Sequence, residues 1–250
     1  MKNFITSLVL IGFTTSTALA QNDKITTSQG ILSLTPILHS AMVLEFDGKT
    51  IFIDPYGGAA KFAGFSDPDL ILITDIHDDH LNLETLNELS TKNSTFVVPQ
   101  AVSAKMDGVD AKEILLIANG ENINWQGIGI QALPMYNLPE SADSRHTKGR
   151  GNGYVLSLGG KRFYISGDTE DIPEMRALKN IDYAFVCMNL PYTMDIKQAA
   201  DAVLEFKPRV VYPFHYRGGG GKFSDVKAFK TLVNNGDPSI HVRIRDWYPK

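Results

Sequence analysis

A chain of 250 residues with 43% hydrophobic and 21% charged side chains can bury one substantial core, or two small ones, and is too apolar to be disordered. A net charge of −4 disfavours binding along a nucleic-acid backbone. Cys187 is the single cysteine, which excludes an internal disulfide and a cysteine-rich zinc knuckle, so any metal must be held by histidine and carboxylate.

In chain order, Met1-Lys2-Asn3 gives a positive start and Phe4 to Phe13 an apolar stretch, followed by the A-x-A cleavage pattern Ala18-Leu19-Ala20. The stretch is shorter than the roughly 20 apolar residues of a bilayer span. The expectation is a secretory signal peptide over residues 1–20 and one domain over 21–250, periplasmic or secreted and without a membrane anchor after cleavage. Cleavage would remove one charged residue, Lys2, and take the net charge to −5. Short apolar or alternating runs then predict strands at Ile31–Leu38, Ala41–Phe46 and Lys49–Ile53, with Asp47-Gly48 as a tight hairpin turn. A buried strand is expected over Leu70–Thr74, and leucines at 81, 83, 86 and 89 predict a helix. Thr95–Val98 reads as a strand and Ala101–Met106 as a brief helix; Glu113–Ile117, Asn122–Trp125 and Gly127–Leu133 continue as strands. Pro134 to Gly151 lacks any period and reads as an exposed, functional loop containing His146. Gly153–Leu158 and Lys161–Ile165 form a hairpin across Gly159-Gly160. The final third alternates strand and helix: Tyr183–Cys187, a helix over Asp195–Phe206, Arg209–Tyr212, a helix capped by Ser224 and running to about Val233, and Ile240–Ile244. Such an order implies sheets covered by helices.

The segment Thr74-Asp75-Ile76-His77-Asp78-Asp79-His80 carries the most chemistry. Asp75 and His77 are two apart at a strand end and project to one side. Asp79 and His80 follow where the chain turns toward a helix. N-capping explains an Asp at a helix start, but not two histidines beside it; one or two divalent metals explain both.

With His146, Ser166-Gly167-Asp168-Thr169 after a strand and His215 after a late strand, the chain resembles the metallo-β-lactamase-fold superfamily from about Leu32 to Ile244. Leu38-His39-Ser40-Ala41, Phe52-Ile53-Asp54-Pro55 and Tyr164 to Thr169 look most like its branch of ascorbate-6-phosphate lactonase-like hydrolases. The resemblance implies an α/β fold, a four-layer αββα sandwich with the metals at one edge between the sheets. It implies one metal on Asp75, His77 and His146, a second on Asp79, His80 and His215, and Asp168 bridging both. Two zinc ions are expected, with manganese or iron(II) as alternatives, and a small-molecule ester, lactone or phosphodiester as substrate. Asp79 and Asp168 would be the catalytic carboxylates, Asp168 bridging and Asp79 able to take a proton from the attacking water. Asp75 departs from the pattern, which has histidine there. Carboxylate is an acceptable zinc ligand, but a third anion leaves two divalent ions with a net charge of about +1 in place of +2, and a weaker first metal is expected. Tyr136, Tyr192 and Tyr216 lie near ligand-bearing loops and are candidate substrate contacts. His39 is either beside the metals or a core histidine, and His241 is structural. Arg217 to Lys222 is a flexible glycine run or a phosphate-contacting loop. A non-catalytic binding protein of the same fold, or a mononuclear hydrolase on the Asp79, His80 and His215 side, are the alternatives.

Overall fold

The computed structural model describes residues 22–249; the expected signal peptide lies outside them. Seven strands form the first sheet in sequence order: β1 (Asp23–Thr27), β2 (Gly30–Leu38), β3 (Ala41–Phe46), β4 (Lys49–Ile53), β5 (Leu70–Leu72), β6 (Thr95–Val98) and β7 (Glu113–Leu116). The first three pairings are antiparallel and the last three parallel. The second sheet repeats this plan with β8 (Asn122–Trp125), β9 (Ile128–Met135), β10 (Gly151–Leu158), β11 (Lys161–Ile165), β12 (Tyr183–Cys187), β13 (Val210–Phe214) and β14 (His241–Val242). Again three antiparallel pairings precede three parallel ones. Asp47-Gly48 and Gly159-Gly160 adopt the left-handed backbone that two-residue hairpins require.

Side-chain alternation builds the layers. In β3, β4 and β5, Met42, Leu44, Ile51, Ile53, Leu70 and Leu72 join the core shared with the second sheet. The residues between them, Val43, Phe52 and Ile71, join a separate outer core. There they meet Leu81, Leu86, Val102 and Met106 from α1 (Leu83–Glu88), α2 (Gln100–Ser103) and their flanks. The second sheet is covered by α3 (Pro173–Arg176), α4 (Ile196–Phe206) and α5 (Val226–Gly236), with Ala199, Val203, Phe206, Phe229 and Val233 buried. The αββα sandwich expected from the sequence is the observed architecture. No helix among the described residues is long and apolar enough to cross a membrane.

Several boundaries differ from the sequence reading, each for a local reason. Strand β1 was not expected because only Ile25 of its five residues is buried; its pairing with β2 holds it. Helix α1 starts at Leu83 because Asn82 accepts from the Thr85 N–H, and His77–Leu81 is a turn closed by His80 and Leu81 N–H bonds to the His77 carbonyl. Helix α2 is shorter and earlier than Ala101–Met106, starting after Pro99. Asp225, not Ser224, caps α5 by accepting from the Lys227 and Ala228 N–H groups; the Ser224 hydroxyl donates to the Met188 carbonyl instead. The 134–151 loop is less exposed than expected, since Tyr136 and His146 are buried in it.

The parallel strands point the same way, so β4, β5, β11, β12 and β13 deliver Asp54, Asp75 to His80, Asp168, Asn189 and His215 at their C-terminal ends. Parallel sheets of this kind gather ligand sites at that edge.

Candidate metal centre

Buried polar atoms are almost always hydrogen-bonded, so unpartnered ones locate chemistry. Seven buried side-chain atoms lack a hydrogen-bond partner among the described residues, and five are His77 Nδ1, His80 Nε2, His146 Nε2, His215 Nε2 and Asp168 Oδ1. These five belong to residues that the sequence places in one centre, and the fold brings them together from four separate stretches of chain.

Their spacing identifies what they face. Two donors each about 2.0–2.1 Å from one tetrahedral zinc ion lie roughly 3.3–3.4 Å apart. His215 Nε2 is 3.2 Å from Asp79 Oδ2 and 3.5 Å from Asp168 Oδ1. His146 Nε2 and His80 Nε2 lie 3.3 and 3.5 Å from Asp168 Oδ2. Asp168, at the end of β11, therefore touches both groups of imidazoles. Left-handed Gly167 puts it there, and a Cβ on Gly167 would press on the Met135 sulfur. Asp75, His77 and His146 form one set of donors within 4.8 Å of one another, and His80, Asp168 and His215 a second. The donor set fits divalent cations, of hardness between zinc and manganese or iron(II).

The outward nitrogens fix the tautomers. His80 Nδ1 is 2.8 Å from Asp54 Oδ2 and 2.9 Å from the Thr74 hydroxyl. Asp54 also accepts from the Thr74 N–H at 2.8 Å. His146 Nδ1 donates to Asn137 Oδ1 at 3.1 Å, and the same oxygen accepts from the His146 backbone N–H at 2.8 Å. With Nδ1 protonated, each ring turns a lone pair inward at Nε2. His77 differs: it presents Nδ1 to the centre.

Burial opposes the charge of each carboxylate here. For Asp79 the contacts with His215 and His80 outweigh it, and for Asp168 those with His215, His80 and His146 do; both carboxyls stay well below their usual range. Burial alone would lower His80, but Asp54 and Asp168 hold it well above the ordinary histidine value.

Asp75 is fully buried, and its carboxylate meets Arg150 in a two-point pair, Nε to Oδ1 at 3.0 Å and Nη2 to Oδ2 at 2.9 Å. Oδ2 also faces His77 Nδ1 at 2.6 Å and His146 Nε2 at 3.9 Å. This corrects the charge account drawn from the sequence. The Asp75–Arg150 pair is neutral overall, as a histidine would be, so the centre regains the charge of the usual pattern. Arg150 lies 75 residues from Asp75, so no local sequence pattern pairs them.

Among the tyrosines, only Tyr192 lines the cavity above the centre. Tyr136 is buried and its hydroxyl donates to Glu174, while the Tyr216 hydroxyl donates to the Arg245 carbonyl. His39 lies beside the centre, Nδ1 at 3.4 Å from His215 Nδ1. Burial, His215 and Arg217 lower its pKa to about 3. His241 is exposed in edge strand β14. No local pattern assigns a role to Asn137, Arg145 or Arg150; of the supporting residues Asp54 alone carries a signal, as a carboxylate at the end of an apolar strand.

A family model, the β-lactamase superfamily domain, matches residues 33–215. A UPF0173 metal-dependent hydrolase of Pyrococcus abyssi is 30% identical over 209 residues, covering 79% of this chain and 90% of the relative. A crystal structure from Parabacteroides distasonis, named provisionally as a metal-dependent hydrolase, is 34% identical with a TM-score of 0.81, covering 92% of this chain and all of that one. Igni18, a metallo hydrolase from Ignicoccus hospitalis, is 26% identical with a TM-score of 0.72, over 87% of this chain and 96% of its own.

Proposed function

The chain belongs to the metallo-β-lactamase-fold superfamily and is a metal-dependent hydrolase; from that premise we propose an exported enzyme that cleaves a small ester, lactone or phosphodiester at a centre of two divalent ions. The observation that carries this reading is the set of buried donor atoms without a hydrogen-bond partner, four of which, on His80, His146, Asp168 and His215, lie at ligand spacing. Asp75, His77 and His146 would hold one ion, Asp79, His80 and His215 the other, and Asp168 would serve both. Bound there, such ions, zinc first and manganese or iron(II) next, would make a nucleophilic hydroxide available near neutral pH and would polarise the oxygen under attack.

The protein's own groups divide the remaining work. Asp54 and Asn137 hold His80 and His146 by their outward nitrogens. Asp79, 31% exposed where the other carboxylates are buried, faces the cavity and can take up a proton from the water. Arg150 orients Asp75 by holding both its oxygens, and against burial His77, His80 and Arg150 together keep that carboxyl well below its usual range. Export rests on the leader-like residues 1–20, and the periplasm or medium is the compartment proposed.

One observation favours a second reading. Arg150 draws charge from Asp75, weakening it as a ligand, so a mononuclear hydrolase on Asp79, His80, Asp168 and His215 is the alternative. Hydrolysis by the metal-loaded chain of 4-nitrophenyl acetate, a γ-lactone or bis(4-nitrophenyl) phosphate tests the activity, and chelation should abolish it. A chain that carries its metals and turns over none of these three classes would refute the substrate assignment.

Asp54→Asn should weaken metal binding by about 10- to 100-fold, the usual effect of losing a carboxylate that orients a ligand histidine. Competition with a chromophoric chelator measures it; unchanged affinity would mean that Thr74 suffices to hold His80.

A further inference from the structure

We propose that the cavity over the centre selects substrates carrying an oxyanion, a carboxylate or phosphate separate from the bond that is cut, and that Arg145 and Arg217 bind it. This deepens the hydrolase reading and rests on it. The cavity has a volume of about 360 Å³, with Asp79, Asp168 and His215 toward the metal centre and Arg145, Tyr192 and Arg217 on the walls. That size suits a small molecule.

These are the two guanidiniums that line the cavity, and neither is engaged by a carboxylate. Arg150 pairs with Asp75, Arg176 with Asp171, Asp201 and Glu205, and Arg245 with Asp23. Among the described residues no ion pair engages Arg145 or Arg217. Instead each is laid on an aromatic face: Arg145 lies 4.4 Å from the centre of the Tyr192 ring and Arg217 5.0 Å from that of Tyr248. Stacking orients the planar fork and leaves its N–H edge for an acceptor. Arg217 also contacts His39 Nε2.

The walls are set in place before any ligand arrives. The Gly219 N–H donates to the Leu190 carbonyl and the Asn137 amide to the Tyr192 carbonyl, both at 2.8 Å. A Cβ on Gly218 would overlap the Leu190 carbonyl oxygen, so the glycine run is close-packed at that point. Two cationic forks over a cation-binding floor, on a chain of net charge −4, favour small anions over polyanions.

The test is calorimetric titration of the metal-loaded chain with succinate and, separately, inorganic phosphate, beside the double variants Arg145→Met/Arg217→Met and Arg145→Lys/Arg217→Lys. The methionine variant should bind at least one of them about 10- to 100-fold more weakly, as expected for lost charge-assisted hydrogen bonds. The lysine variant should fall between, which separates charge from damage to the fold. The anion that suffers the larger loss identifies carboxylate or phosphate as the source. Equal affinity in all three proteins, for both anions, would overturn the proposal. A parallel assay compares 4-nitrophenyl hemisuccinate with 4-nitrophenyl acetate: the wild type should prefer the anionic ester, and the methionine variant should lose that preference. If the wild type hydrolyses no ester, lactone or phosphodiester, the hydrolase reading fails, while the titrations still decide the arginine site.

Discussion

Arg150→Met destabilises the metal-stripped protein by about 3–5 kcal/mol, the range for removing one partner of a buried ion pair. Asp75 is fully buried and Arg150 holds both its oxygens. Without the guanidinium, an anion faces His77 and His146 with no fixed countercharge. Methionine fills much of the volume of the arginine stem, so the loss reports charge more than packing. Denaturant unfolding of the metal-stripped wild type and variant measures it. Saturating zinc should restore part of the difference, because Asp75, freed from Arg150, becomes a stronger ligand in a group that already contains His77 Nδ1 and His146 Nε2. A loss under about 1 kcal/mol would place the pair with ordinary surface bridges, and the neutral-pair account of Asp75 would be wrong.

Asp168→Asn should lower hydrolysis by on the order of a thousandfold, equivalent to about 4 kcal/mol in the barrier. Its two oxygens face His146, His80 and His215 at 3.3–3.5 Å, so one substitution touches both donor groups. An amide removes the anion and places an N–H donor where cations are to bind. Because asparagine has nearly the same shape, the β11 edge should fold unchanged, and metal content should fall with activity. Full activity in the variant would remove Asp168 from the centre.

The candidate ligand positions were legible in the sequence because each sits at the end of an apolar strand or in a polar turn where packing gives no reason for histidine. His77, His80 and His215 belong to this class, and Asp168 follows a left-handed glycine. The strands of both sheets were readable from apolar runs, alternating in some and continuous in others, and from hairpin glycines, apart from β1, whose mostly polar residues form no such run. What supports the ligands was harder to see. Asp54 meets His80 across 26 residues and Arg150 meets Asp75 across 75; no local pattern encodes such pairings. Tyr136 departs from the substrate contact expected of it, since a tyrosine in a polar loop can equally turn inward and hydrogen-bond, as it does with Glu174. The cap of α5 shifted by one residue because Ser224 and Asp225 are both competent caps and the fold spends the serine on Met188.

Metal equivalents per chain, measured by mass spectrometry on protein starting at Gln21 and purified without chelators, test the centre most directly. The account predicts two equivalents of a divalent transition metal, and fewer when Asp168 is replaced by Asn. A chain that carries no metal and takes up neither zinc nor manganese would contradict it, leaving five buried donor atoms to be explained in another way.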